Sequence, residues 1–480
     1  ILTDIKNKKL SPNSNIDEFL NKDNLTPETI SAAYARISRN PLSVNKLRKI
    51  AREEVEKARK SNRTIIFDYG HSSVAEHAVF NFDIIGISRF LVEKIQRHRL
   101  CSFTEKSQRY ILFKKDYIVP EEIKSSSHRD EYVEIMELQN NLYHRLFKVL
   151  RPYFRDKYPD ISRIITENMA KEDSRYIVSL ATKTQLGATI NARNVEYILR
   201  KAYSSGINEF NQFADKVYSE VSRISPSLIK YFRERDYCCS VKEEVETEIF
   251  KLRVKNRNKK EKDYKEVRLI EYTKNGDDYL LAVIMSSFSD EPIGYWKKKV
   301  KSIPFEEKER LFKKIFSNLK SYDSVLREFE LIDFVFEMVI SASCYAQLKR
   351  HRMATIITQE YNPELGVTIP ESIKDVNMEK DFTDVIHKTD EIYYKIKSKN
   401  PAVAGYVLTN SHRRRVLLKV NARELYHISR LREDTSAQWD IREKAKKIIN
   451  LAKQKAPLTM MLACGKDKFY DIKNKLIQPA

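Results

Sequence analysis

Two arginine-rich tripeptides, Arg97-His98-Arg99 and Arg350-His351-Arg352, are each followed downstream by an Asn-Ala-Arg, at Asn191 to Arg193 and Asn421 to Arg423. Arginine's planar fork donates paired hydrogen bonds to phosphate or carboxylate and keeps its charge when desolvated, so both motifs suit an anionic ligand. The first extends into RHRLCSFTEKSQRY, which gathers Arg97, Arg99 and Arg109, the hydroxyls of Ser102, Ser107 and Tyr110, and the carboxylate of Glu105 within fourteen positions. Cations and hydroxyls there suit a phosphate, while Glu105 and Gln108 suit ring edges or ribose, a combination that fits an anionic heteroaromatic molecule. Taken alone, one Arg-His-Arg reads as the solvated basic end of a helix. Its recurrence, with the second motif in the same order, marks a duplication of whole modules. The chain has no GxGxxG or Walker loop and only nine glycines, so phosphate must be held by side chains.

These residues need elements to carry them. An apolar helical run precedes each Arg-His-Arg and places it at a helix C-terminus, where cations complement the dipole. The first module opens near Thr26 with a charged helical stretch to Lys60, then a turn and a half-buried strand that alternates Phe80, Phe82 and Ile84 with Val79, Asn81 and Asp83. Long amphipathic helices are expected at 127–157, 160–179 and 192–221, closed by Pro226. The second module opens with the strand-like VRLIEYT and repeats the plan, with a strand at 332–339, a helix at 341–350 and a final helix at 422–453. The expected fold is α+β, each module a small antiparallel sheet with long helices. The division is a polar arm at 1–24, modules at 25–240 and 266–480, and a charged linker at 241–265 with a short strand pair about its basic turn.

Composition sets the frame. A chain of 480 residues with 41% hydrophobic residues can bury two cores. Its net charge of +21 favours phosphorylated partners, but the lysines are spread through the whole chain, so nucleic acid is the weaker expectation. The five cysteines form neither a paired framework nor a Cys-x-x-Cys site, and the opening ILTDIKNKKLSPNSN carries no signal-peptide apolar run, so a soluble cytoplasmic protein without membrane contact is expected. His71, His77 and His98 lack a carboxylate or cysteine spacing for a metal, and none is assigned. Tyr132, Tyr143, Phe147, Tyr153 and Phe154 recur at helical spacing and read as core.

RHRLCSFTEKSQRY resembles the signature of the flavin-dependent thymidylate synthases, an Arg-His-Arg followed after seven residues by a Ser, here Ser107. Upstream, GHSSVAEHAVFNFDIIGISR resembles the family's His-x-Ser-x-x-Glu-His segment; downstream, NARELYHISRLREDTSAQWDIR resembles its Asn-Ala-Arg helix ending in Ala-Gln-x-x-Ile-Arg. The resemblance covers most of both modules. It implies an α+β homotetramer whose sites are built between subunits. One subunit gives a Gln three residues before the Arg-His-Arg, the first Arg, the Asn-Ala-Arg, and an Arg eleven residues after that Asn. Another gives Glu-x-Ser-x-Arg and an Arg sixteen residues before its own Asn.

Carried over by position, the first set is intact in the second module as Gln347, Arg350, Asn421, Arg423 and Arg432, whereas Lys94 and Ala202 break it in the first. The second set is intact in the first module as Glu105, Ser107, Arg109 and Arg175, and is replaced in the second by Thr358, Glu360, Asn362 and Gly405. The complementary losses imply one composite site per module pair and a dead mirror image, with the fused chain dimerising to mimic the tetramer.

By resemblance, the reaction is methylation of deoxyuridine monophosphate (dUMP) to dTMP, with FAD as cofactor and methylenetetrahydrofolate and NADPH as co-substrates. Arg432 is then the catalytic residue; Gln347, Arg350, Glu105, Ser107, Gln108, Arg109 and Arg175 bind substrate. Arg350, His351, Arg352, Glu105, Asn421, Arg423, His427 and Ser73 hold the flavin, with Glu76 beside Ser73. A non-catalytic flavin- or nucleotide-binding paralogue, a relative that modifies uracil differently, and a basic nucleic-acid-binding protein are the alternatives.

Overall fold

The computed structural model describes residues 26–114, 116–255 and 265–477, so the arm expected at 1–24 and the basic run of the linker lie outside them. The first half forms a sheet from β1 (Val79–Ser88), β2 (Ser102–Glu105) and β3 (Lys183–Asn191) in the order β1-β3-β2. The second forms one from β4 (Val267–Tyr272), β5 (Asp333–Ser341), β6 (Thr355–Thr358) and β7 (Arg413–Asn421) in the order β4-β5-β7-β6, antiparallel throughout. The registers repeat. Val79 faces Asn191 as Asp333 faces Asn421, and Ser102 faces Thr189 as Thr355 faces Lys419. Period-two burial accounts for this: Thr184, Leu186, Ala188 and Ile190 of β3, and Arg414, Val416, Leu418 and Val420 of β7, point inward.

The duplicated motifs have a physical job at the strand ends. Asn191 and Asn421 end their strands and cap the next helix, each side-chain oxygen accepting from the N–H three residues on. Ser88 and Ser341 cap the helices that lead into the two Arg-His-Arg turns, Arg89–Ile95 and Ala342–Leu348.

Several helices differ from expectation. The run at 192–221 is two helices, Ala192–Tyr203 and Asn208–Ile224, broken at Gly206, whose φ of +67° leaves the helical region. The run at 422–453 is likewise Ala422–Arg432 and Trp439–Lys455. Between them the Asp434 carboxylate accepts from the Ser436 N–H at 2.9 Å, a local bond that competes with helix continuation. Helix Tyr237–Lys255 occupies the linker up to the basic turn, where the first strand of a pair was expected; the turn itself lies outside the described residues.

One of the two large cores crosses between the halves. Tyr132, Tyr143 and Phe154 of helix Arg129–Lys157 are buried in one cluster with Phe382, Ile386 and Ile396 of helix Glu379–Lys399, and Gln139 donates to Thr389 and to the Val407 carbonyl. Each helix has one apolar face, and each face covers the other.

A pseudo-twofold axis relates the halves and passes by the Ser179–Thr409 bridge. Leu180 N–H donates to the Leu408 carbonyl and Asn410 N–H to Val178; Ala181 donates to Tyr406 and Ser411 to Tyr176. With Asn191 matched to Asn421, every one of these bonds maps onto another. Side chains follow the same symmetry. Tyr176 donates to Asp440 beside Ser341 on the second half, as Tyr406 donates to Glu209 beside Ser88 on the first. Asp440 and Gln438, within the Ala-Gln-x-x-Ile-Arg segment, therefore serve the junction, Gln438 donating to the Tyr176 hydroxyl at 2.7 Å.

Candidate active site between the two halves

β2 ends at Glu105, and the turn that follows carries Ser107, Gln108 and Arg109 toward the second half. Glu105 lies 3.5 Å from the guanidinium of Arg89, which is only 2% exposed, and accepts from Gln96 at 3.3 Å. Ser107 accepts from the Arg109 N–H; Arg109 pairs with Glu172 and donates to the Ser436 carbonyl of the second half at 3.1 Å. Asn410, at the pseudo-dyad, donates both to Gln108 and to the Arg175 carbonyl. Arg175 is buried, and its guanidinium donates to the Glu172 carbonyl.

Opposite, helix Ala342–Leu348 delivers Gln347 and ends at the Arg350 turn. Arg432, on the last turn of helix Ala422–Arg432, donates through Nη1 to Gln347 at 3.2 Å and through Nε to His351 Nε2 at 2.9 Å. Nε2 thus accepts, so the His351 proton sits on Nδ1, 3.3 Å from Glu424. His427 meets His351 edge to face at 5.5 Å, and the guanidinium of Arg352 lies 5.6 Å from the Phe103 ring centre.

Electrostatics define what this cluster wants. Burial, then the charges of Arg350 and Arg109, lower the Arg432 guanidinium to about 10, which leaves it cationic at neutral pH. Burial lowers Arg350 too, with Glu105 opposing and Arg89, Arg109 and Arg352 adding to the effect. Lys349, 3% exposed, falls to about 7 through burial and then the Arg89 charge. Arg175 is lowered chiefly by burial, Glu172 opposing. Crowded cations with depressed basicity gain most from an anion. The same cluster holds four buried donor atoms without a hydrogen-bond partner among the described residues: Arg175 Nη2, Gln108 Nε2, Gln347 Nε2 and Lys349 Nζ. With one unpartnered acceptor beside them, Asn410 Oδ1, these donors fit an acceptor-rich molecule that also carries an N–H, such as a phosphorylated pyrimidine or a flavin nucleotide.

A family model described as thymidylate synthase complementing protein matches residues 20–227 and again 268–458. The chain belongs to this family. A flavin-dependent thymidylate synthase of Clostridium tetani is 32% identical over 210 residues, 43% of this chain and 82% of that protein. A UPF0159 protein of Chlamydia muridarum is 24% identical over 430 residues, 83% of this chain and 79% of that protein, and one of Thermoplasma acidophilum 22% over 437, with 82% and 86% covered. Alignments of that length run through both halves. Among the described residues no helix is long and apolar enough to cross a membrane.

In this member of the family, Gln347, Arg350, His351 and Arg432 lie together across the junction from Glu105, Gln108, Arg109 and Arg175. Other candidates serve the fold as well. Asn421 spends its side-chain oxygen on the helix cap, and Arg423 pairs with Glu330 at 2.7 Å and donates to the Val325 carbonyl. Ser73 is exposed in the turn Ser72–His77, whose Glu76 pairs with Arg193 at 2.5 Å, the first half's equivalent of the Arg423–Glu330 pair. His98 is buried, its Nδ1 at the Ile95 carbonyl and its ring 5.2 Å from that of Tyr197.

Sequence reading missed Arg89 and Lys349. Arg89 directly follows a strand-ending serine and reads as the solvated start of a helix. Lys349 adjoins the motif arginine but is indistinguishable by type from the many surface lysines. The mirror position is altered sterically as well as chemically: a Cβ on Gly405, the counterpart of Arg175, would lie 2.6 Å from Phe90 Cε2.

Proposed function

We propose that this chain is a flavin-dependent thymidylate synthase that converts dUMP to dTMP at one composite site between its modules, 25–240 and 266–480. The observation that carries the reading is that Arg432 and Arg350 of the second half lie in the field of Glu105 and Arg109 of the first, with unpartnered buried N–H donors contributed by both halves. Arg109 and Arg175 hold the nucleotide phosphate, with the Ser107 hydroxyl; Gln108 and Glu105 meet the ribose and ring edge. Gln347 and Arg350 fix the nucleotide from the second half. Gln347 and His351 anchor two N–H groups of Arg432, so its remaining donors are aimed without reorganisation at the uracil edge, where negative charge develops as carbon 5 becomes nucleophilic.

Arg350, His351, Arg352, Asn421, Arg423 and His427 would hold FAD, with Glu105 at the boundary of both ligands and Ser73 at the periphery. Bound flavin supplies the hydride, methylenetetrahydrofolate the carbon and NADPH the reducing equivalents; the chain's own residues bind, orient and stabilise charge. In the cytoplasm two such chains would pair to reproduce the family's four-module assembly.

The test is dUMP-dependent NADPH oxidation by the full chain with FAD and methylenetetrahydrofolate. Arg432→Ala, Arg175→Ala and Arg423→Ala should each lose about 10²–10³ in kcat/KM, and Arg193→Ala little, because Arg193 belongs to the mirror set. Equal losses at Arg193 and Arg423 would sink the composite site. Bound flavin without dUMP-dependent turnover would instead identify a non-catalytic paralogue; steep salt-dependent RNA binding without flavin would identify a nucleic-acid binder.

A further inference from the structure

A cavity of about 1070 Å³ lies at the position that the pseudo-dyad pairs with the arginine cluster. Its walls are the helix Arg89–Ile95 with the Arg97–Arg99 turn, the helices Ala192–Tyr203 and Tyr237–Lys255, and segments 359–362 and 393–405 of the second half. The exchanges across the axis are systematic. Lys94 stands for Gln347, Arg97 for Arg350, Tyr197 for His427, Glu360 for Ser107, Asn362 for Arg109 and Gly405 for Arg175.

These exchanges move the positive charge to the other wall. Six cationic side chains line the cavity, Lys94, Arg97, Arg99, Lys201, Lys242 and Lys397, against the carboxylates Glu246 and Glu360. Arg97 is partnered by Glu93 at 3.4 Å, Lys201 by Asp236 at 2.7 Å and Lys242 by Glu246 at 3.6 Å. Arg99 and Lys397 are in no ion pair among the described residues; Arg99 donates to the Ala354 carbonyl and Lys397 lies 5.2 Å from the Tyr393 ring centre. Glu360 is solvent-accessible but faces the cavity, and the Lys94 ammonium holds its carboxyl down to about 2. A carboxylate where Ser107 would meet phosphate, and no arginine at positions 362 and 405, exclude the phosphate placement of the composite site.

The Tyr197 ring, 44% exposed, supplies flat apolar surface between the charges, and the edges of the buried Phe90, Phe210, Tyr361 and Tyr393 close the wall around it. Aromatic surface beside several flexible ammonium groups, in a space at the upper end of ligand pockets, suits a planar base joined to more than one phosphate. We propose that this cavity is a second, non-catalytic site that binds a nucleoside polyphosphate, with the phosphates on the Lys94, Arg97 and Lys397 side. The proposal stands on the cavity and its lining, independently of the methylation reaction.

Titration calorimetry on the full chain with ATP, dTTP, inorganic tripolyphosphate and dUMP tests it. ATP or dTTP should bind wild type and the Arg109→Ala variant within about twofold of each other, whereas Lys94→Ala/Lys397→Ala should weaken binding about a hundredfold, since each lost charge-assisted contact removes about a factor of ten. Tripolyphosphate should bind at the same site about tenfold more weakly, lacking the base. Three results would overturn the proposal: no triphosphate binding at millimolar concentration, loss of binding in Arg109→Ala but not in Lys94→Ala/Lys397→Ala, or tripolyphosphate as tight as ATP, which would make the cavity a plain anion site. Because Lys397 is exposed, Lys397→Glu alone serves where the double variant fails to fold, and unchanged triphosphate affinity in it would equally count against the site.

Discussion

Replacing Glu93 by Gln should loosen the junction more than any comparable surface change. Glu93 is 4% exposed and comes from the first half; it pairs with Arg414 of the second, itself 1% exposed, and accepts from the Tyr361 hydroxyl at 2.7 Å. The Arg414 guanidinium stacks 4.0 Å from the Tyr361 ring centre and 4.9 Å from that of Tyr345. Although burial opposes it, the combined field of Arg414, Arg97, Lys349 and Arg89 holds the Glu93 carboxyl well below the usual range. Glutamine keeps the size and removes the charge, leaving buried Arg414 with only the exposed Glu360 carboxylate at 3.7 Å as counter-ion, a loss of about 3 kcal/mol. Adding Arg414→Met removes the stranded cation, so the double variant should be less destabilised than the sum of the two singles by about 1–3 kcal/mol. Urea unfolding followed at Trp439, which stacks on Tyr176 at the junction, reports the change in a Trp296→Phe background. A carboxyl depressed in the folded state contributes stability that is present above its unfolded value and lost as pH falls through the folded one. The Glu93→Gln difference should therefore persist at pH 5. A Glu93→Gln cost under about 1 kcal/mol, or strict additivity with Arg414→Met, would refute the account.

Two titrations at the junction have opposite signs. Burial raises Asp173 to about 7, though Ser372 and Trp439 donate to it, so its contribution is full below its unfolded value near 4 and lost as pH rises toward 7, at up to about 1.4 kcal/mol per unit. Asp173→Asn should flatten the stability profile in that interval, and an unchanged slope would contradict the burial argument. Lys349, lowered to about 7, destabilises while it is protonated in the fold, so stability should rise with pH from 7 toward its unfolded value near 10.4. Lys349→Met should raise the melting temperature at pH 6 and barely alter it at pH 10; a gain independent of pH would point to packing instead. Asn191→Ala and Asn421→Ala should each cost about 1 kcal/mol through loss of a helix cap, read by denaturant midpoint. A cost at Asn421 that appeared only in activity would mean that the cap contributes nothing.

How much of this was legible in the sequence depends on the range of the interaction. The alternation of Phe80, Phe82 and Ile84 revealed β1, because its period is local; β2, β3, β6 and β7 went unread, since Ser102–Glu105 and Thr355–Thr358 are too short to show a period and β7 begins with three arginines. Candidate site residues could be named because the motifs that carry them resemble those of a known family, and the repeat showed which half retained each set. Their partners could not. Arg89 with Glu105, Arg109 with Ser436 and Asn410 with Arg175 join positions far apart in sequence, and nothing local marks them. The broken helices were missed for another reason: Gly206 and Asp434 act through single backbone and side-chain choices that amphipathic periodicity averages away.

The four symmetric backbone bonds about Ser179 and Thr409 tie together two surfaces of one polypeptide. In an assembly of identical subunits every substitution is imposed on all copies of an interface, and dilution can take the interface apart. A covalent tether removes both constraints: association becomes intramolecular, at an effective concentration on the order of millimolar for a short connection, and each position can change once. Phe90 could then grow over Gly405 while its counterpart across the axis, Ser343, stayed small and that of Gly405 stayed Arg175. Fusion thereby frees the two faces of a symmetric contact to diverge.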